Sequence, residues 1–216
     1  MKRRCRTCRD EAEARDPCWA ILATWPVLDS DKKLEDKTAV ADHRVIRPAV
    51  PADADAQREV ERAAGTRFLD VGMAHVAASE PMSTQKLAAY ATAGCSWVAT
   101  DQHDHVLGYA VVELIDGFAH VEQVSVKPEH QGQGLGRALI SEVERWAAAT
   151  GIDAITLTTF AEVPWNRPLY EHLGFRVLEN DELSPGLRAV RDHEAAHGLD
   201  PELRVCMYKP IRRIPV

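Results

Sequence analysis

A short run of glycines constrains this chain more than any other feature. Val124, Ser125, Val126, Lys127 and Pro128 form a β-prone run closed by proline; Gln131, Gly132, Gln133, Gly134, Leu135, Gly136 and Arg137 follow directly. Over residues 135–150 the apolar side chains Leu135, Leu139, Ile140, Val143, Trp146 and Ala147 recur at helical spacing, and Gly151 ends the run. The order is strand, glycine turn, helix. Glycines let the backbone curl so that successive N–H groups converge at a helix start, where partial positive charge favours phosphate oxygens. An anionic pyrophosphate is the implied ligand. Glycines at 132, 134 and 136 fit neither the phosphate loop that ends in Lys-Ser/Thr nor the dinucleotide Gly-x-Gly-x-x-Gly.

The flanking sequence places that turn inside an α/β domain. Residues 44–47 read as a first strand that stops at Pro48. Helices are expected over residues 53–69 and 83–93, with a loop over residues 70–81 between them. Three β-rich runs at residues 96–100, 106–114 and 119–126 have short polar connections, which implies antiparallel neighbours. The strand expected at residues 152–160 returns through the helix as a β-α-β crossover, so one pair must be parallel. A short helix at residues 167–173, strands at 175–178 and 203–208, and a helical insertion at 185–197 complete the chain. Residues 1–44 show no sustained period and are expected to be a poorly ordered extension; residues 45–211 form the domain, and 212–216 a tail.

Composition narrows the partners. The net charge is −7, while residues 1–44 hold ten Lys/Arg and nine Asp/Glu, so the acidity belongs to the domain. A nucleic-acid partner would need clustered basic residues, and none is expected. The apolar stretch at residues 18–28 is shorter than the ~20 residues of a membrane helix and contains Pro26, so no membrane span is expected. Charges at Arg6, Arg9, Asp10, Glu11 and Glu13 interrupt any secretory signal, and five cysteines make no disulfide framework. The expected compartment is the cytoplasm.

The motif resembles that of the GNAT acyltransferase superfamily: Val126-Lys127-Pro128 as the strand end, then Gln131-Gly132-Gln133-Gly134-Leu135-Gly136. A second resemblance lies in Asn166, Tyr170 and Gly174-Phe175, in the family's order. It implies a mixed, mostly antiparallel central sheet with splayed parallel strands and flanking helices. It also implies acetyl-CoA as donor, with pantetheine held by the backbone of Val124, Ser125 and Val126 and pyrophosphate held by residues 131–137, Arg137 adding charge. By the same resemblance Glu122 is the base toward a primary amine, Tyr170 protonates the departing thiolate, and Asn166 bonds a pantetheine amide or caps the following helix. The acceptor is expected to be a small-molecule amine, chosen by residues 70–81 and 180–197; a homodimer is left open. Strand alternation would put Glu122 on one face with His120, Val124 and Val126, and His120 is the rival base because its ordinary pKa of ~6.5 suits proton uptake near neutrality. The alternatives are another acyl group, a protein amine, or a coenzyme A sensor without catalysis.

Two motifs suggest metal. His193-Glu194-Ala195-Ala196-His197 matches the zinc-protease pattern, but no third histidine follows, and the segment reads as a solvated amphipathic helix. Cys5, Cys8 and Cys18, with His43 nearest, make an incomplete zinc knuckle. No metal is expected.

Overall fold

The computed structural model describes residues 44–211. Seven strands form one sheet in the order β1-β2-β3-β4-β5-β7-β6: β1 (Val45–Pro48), β2 (Ser96–Thr100), β3 (Val106–Ile115), β4 (Phe118–Val126), β5 (Ala154–Phe160), β6 (Arg176–Val177) and β7 (Arg204–Pro210). Every neighbouring pair is antiparallel except β4 and β5, which run parallel. This is the mixed, mostly antiparallel α/β architecture that the sequence implies. The described residues contain no helix long and apolar enough to cross a membrane.

One face of the sheet carries α4 (Leu135–Ala149), the crossover from β4 to β5. It buries Leu135, Leu139, Ile140, Val143 and Ala147, the positions picked out by helical spacing, against Val112, Val121 and Leu157. Trp146 is only partly buried and meets Trp97 edge to face at 5.5 Å. Each fully buried Leu or Ile contributes about 1.5–3 kcal/mol, so α4 is a fixed platform for the turn that precedes it. The other face carries α1 (Ala54–Gly65) and α3 (Thr84–Thr92), whose Val60, Leu87 and Tyr90 pack against Val98, Tyr109 and Val111. Ser83 caps α3 by accepting the Lys86 N–H at 3.2 Å.

Between α1 and α3 the chain departs from expectation. The helix expected over residues 53–69 is α-helical only to Gly65; residues 66–71 tighten into a 3-10 turn that ends at Gly72 with φ 73°. The buried period of α1 (Ala54, Gln57, Val60) has run out by then, and Phe68 instead meets Phe160 and Trp165 at 5.5 and 6.0 Å. The expected loop at 70–81 contains the one-turn α2 (Ala74–Ala77). Past β5 come α5 (Arg167–His172) and α6 (Pro185–Ala196). The strand expected at 175–178 shortens to the two residues of β6.

Strand alternation fails at one place in β4. Val111 opposes Gln123 and Val112 opposes Val121, so Glu122 is an extra residue in a bulge. The phase of the strand shifts there: Ala119 and Val121 before the bulge, and Val124 and Val126 after it, all pack into the α4-side core. His120 therefore does not share a face with Val124 and Val126, contrary to the alternation expected from sequence.

Candidate active site

The parallel ladder between β4 and β5 is short. It pairs Ala119, His120 and Val121 with Ile155, Thr156 and Leu157 and goes no further. β4 stays paired with β3 as far as Val126, and β5 with β7 as far as Phe160, so beyond Val121 and Leu157 the two strands part. The bulge at Glu122 sits where they separate, and bulges bend and twist their strand. The result is an open cleft of about 430 Å³, within the range of small-molecule sites. Among the described residues no ladder joins the facing edges past Val121 and Leu157, and an extended amide-bearing ligand can pair with such edges as an added strand would.

Val124, Ser125, Val126, Gln131, Asn166, Tyr170 and Glu122 all line this cleft. Gln131 ties turn to strand: its side-chain amide donates to the Val126 carbonyl at 2.9 Å, and its oxygen accepts from Arg67 at 2.8 Å. Gln133 closes the turn by donating to the Glu129 carbonyl at 2.9 Å. Gly132 and Gly134 lie at φ 71° and 83°, left-handed backbone that glycine adopts at least cost. Gly134 is the N-cap of α4 and supplies no side-chain cap. The N–H groups of Leu135, Gly136 and Arg137 are thus the free donors of a helix start. Leu135 is 1% exposed, so it offers its backbone alone. The turn from Gly132 to Arg137 lies outside the cleft lining itself, next to its Gln131 end.

Tyr170 comes from α5, with its ring edge to face on Phe175 at 5.8 Å. Burial pushes its hydroxyl up to about 12, while Arg204 pulls slightly the other way, so it holds its proton at neutral pH. Asn166 stands at the head of α5, yet its side chain makes no cap bond; of its two expected roles, capping is the one the geometry does not use. Glu122 pairs with Lys86 of α3 through Oε1 at 3.4 Å. His120 is 1% exposed and bonds Thr156 Oγ1 at 3.0 Å within the sheet. It is not among the residues that line the cleft.

The structure adds residues that no spacing announced. Glu61 of α1 lines the cleft, and its Oε2 accepts from the Tyr109 hydroxyl at 2.5 Å and from the Met82 N–H at 3.3 Å. Arg67 stacks on the Trp165 ring at 4.0 Å. Histidine-bearing α6 is more than the solvated helix expected: it buries Leu187 and Val190 on Ile115 and turns His193, Glu194 and His197 toward the cleft. Glu194 is held by Arg204 at 2.5 Å and by the Thr158 hydroxyl. No group of three His, Cys, Asp or Glu is arranged for a metal among the described residues, and Cys5, Cys8, Cys18 and His43 lie outside them.

A splayed parallel pair, a glycine turn at a helix start and a partly buried tyrosine coincide with a family match. The model of the acetyltransferase (GNAT) family matches residues 64–175, more than half of the chain. The chain belongs to the GNAT acetyltransferase family. Solved structures share the GNAT fold at low identity. The ribosomal-protein-S18-alanine N-acetyltransferase of Escherichia coli is 19% identical with a TM-score of 0.54, covering 80% of this chain and 96% of that one. The PaiA N-acetyltransferase of Thermoplasma acidophilum, solved with coenzyme A, is 17% identical with a TM-score of 0.59, covering 77% and 98%. A GNAT acetyltransferase of Staphylococcus aureus Mu50 is 14% identical with a TM-score of 0.59, covering 78% and 99%. The helix α6 and both closing strands lie past the matched GNAT segment.

Proposed function

We propose that this GNAT domain moves an acetyl group from acetyl-CoA directly onto a primary amine. The observation that carries the reading is the wedge between β4 and β5, open from Val121 and Leu157 onward and ending beside an uncapped helix start. Unpaired strand edges suit the two amides of pantetheine, and the free N–H groups of residues 135–137 suit the pyrophosphate. No side chain fills the turn: a Cβ at Gly132, Gly134 or Gly136 would meet nothing within 4 Å. These residues fit the donor.

Tyr170 packs with the α4-side core, whereas Tyr109, to which Glu61 is bonded, belongs to the core on the α1 and α3 side. A cleft lined by Tyr170 and by Glu61 connects the two faces of the sheet, so the acceptor amine reaches the thioester carbon from the side opposite Tyr170. Glu122 presents a carboxylate to the incoming ammonium, and Tyr170 supplies the proton that the departing thiolate needs. Asn166 is offered to a pantetheine amide. The 3-10 turn with α2, and the inner face of α6, form the walls that select the acceptor.

Calorimetric titration with coenzyme A, followed by thiol release from acetyl-CoA over a panel of small primary amines, tests this reading. Micromolar donor binding with turnover on at least one amine is expected. Donor binding without turnover on any amine or amine-bearing peptide would identify a coenzyme A sensor instead.

A further inference from the structure

Glu122 is not the only carboxylate at the acceptor end, nor the one held most firmly. Its Oε1 faces Lys86 at 3.4 Å, and that lysine side chain is half exposed. Glu61 is fixed from three directions. Its backbone belongs to α1, the Tyr109 hydroxyl reaches Oε2 from β3 at 2.5 Å, and the Met82 N–H reaches the same oxygen from the segment before α3 at 3.3 Å. Tyr109 is fully buried, so that bond cannot swing out to solvent. Among the described residues nothing hydrogen-bonds Oε1 of Glu61. One oxygen is therefore saturated and orients the group; the other is left for a ligand in the cleft that Glu61 lines.

We propose that Glu61, positioned by Tyr109, takes the proton of the acceptor ammonium, and that Glu122 steers the ammonium into place. This rests on the reading of the cleft as an amine acetyltransferase site. The ammonium passes one proton to Oε1 of Glu61, leaving a neutral amine whose lone pair forms the C–N bond to the thioester carbon. The C–S bond breaks with its electron pair on sulfur, and the thiolate takes the Tyr170 proton. The proton that the new amide nitrogen must still lose returns to the Tyr170 oxygen, directly or through water. The proton on Glu61 leaves to solvent, so that acetyl-CoA and the ammonium become amide, coenzyme A and one released proton.

The electrostatics agree in direction. Burial raises Glu61 above the ordinary carboxylate range, and Glu122 on β4 pushes it up further. The Tyr109 and Met82 hydrogen bonds, and Arg58 on α1, pull it back. A carboxyl group raised in this way is a better match to proton uptake near neutrality than a solvated one. Lys86 on α3 acts through its pairing with Glu122.

The test compares the acid limb of kcat/KM in four full-length proteins: wild type, Glu61→Gln, Tyr109→Phe and Lys86→Met. Glu61→Gln should lower kcat by about 100-fold or more with donor affinity kept. Tyr109→Phe removes a hydrogen bond that favours the charged carboxylate, so Glu61 should lose its proton only at higher pH and the acid limb should move up while the protein still turns over. Lys86→Met removes a cation from Glu122 and should chiefly raise the KM for the amine. An acid limb unmoved in Tyr109→Phe, or one that moves further in Lys86→Met, overturns the assignment to Glu61. Wild-type protein without turnover on any amine would overturn the underlying reading as well, and so is distinguishable.

Discussion

At the scale of single residues, the site divides into groups that offer side chains and groups that offer only backbone. Tyr170 is of the first kind. Because burial pushes it up to about 12, it stays protonated at every working pH and contributes no basic limb below about pH 10. Tyr170→Phe should lower kcat by about 10- to 100-fold while the dissociation constant for coenzyme A, read by calorimetry, stays within about threefold. Gly136 is of the second kind, lying in the first turn of α4 where a Cβ would meet nothing within 4 Å. Gly136→Asp should leave the fold intact, since acidic side chains near a helix start add about 0.3–1 kcal/mol. The same charge should repel the pyrophosphate, so coenzyme A affinity should fall about tenfold or more with no loss of melting temperature. Unchanged affinity would remove the pyrophosphate from this turn. Gly134 is a poorer probe because its φ of 83° would mix backbone strain with charge.

At the scale of elements, α6 lies past the segment that matches the family, and its docking is specific. The Gly186 N–H donates to Asp116 Oδ2 at 2.7 Å, Leu187 and Val190 pack on Ile115, and Glu194 meets Arg204 at 2.5 Å, with both side chains largely buried. A Cβ on Gly186 would lie 2.5 Å from Ile115 Cγ2 and 2.6 Å from Asp116 Oδ2, so Gly186→Ala must shift the helix or give up that hydrogen bond. Overpacking of this sort costs about 1–3 kcal/mol, or roughly 2–12 °C in a domain of this size. Thermal unfolding should show that loss. On the proposed reading, kinetics should show a raised KM for the amine and an unchanged one for acetyl-CoA, because α6 walls the cleft whereas the glycine turn belongs to α4. The β4 bulge is the second decisive element. Alternation alone aligned Glu122 with His120 and Val126, and one unpaired residue undid that alignment by shifting the strand's phase.

At the scale of the whole molecule, the seven-stranded sheet and the cleft are built from the described residues, 44–211, and every residue given a chemical role lies between Glu61 and Arg204. A chain beginning at Asp42 should therefore bind coenzyme A and acetylate amines as the full chain does, and EDTA should leave both unaffected. One zinc per chain, with activity lost on removing residues 1–41, would assign the cysteines Cys5, Cys8 and Cys18 a role in the enzyme. Much of the architecture was legible beforehand because its signals are local. The glycine turn needs residues adjacent in sequence, α4 needs an apolar period of 3.6, and short polar connections force antiparallel neighbours. Those signals sufficed for the family and the sheet class. On the acceptor side they marked Glu122 and the segments 70–81 and 180–197, but not Glu61, Tyr109 or Arg204, which sit on three different elements and have no neighbour in sequence that marks them. Glu61 looks like one more charge among Arg58, Glu59 and Arg62, and the His193-Glu194-His197 pattern points to a metal. The sequence determined which segments become helices, strands and the glycine turn, because backbone preference and apolar period act over a few residues. Only the tertiary structure decided which carboxylates share the cleft, because that depends on sheet order, on one bulge, and on burial between elements far apart in the chain.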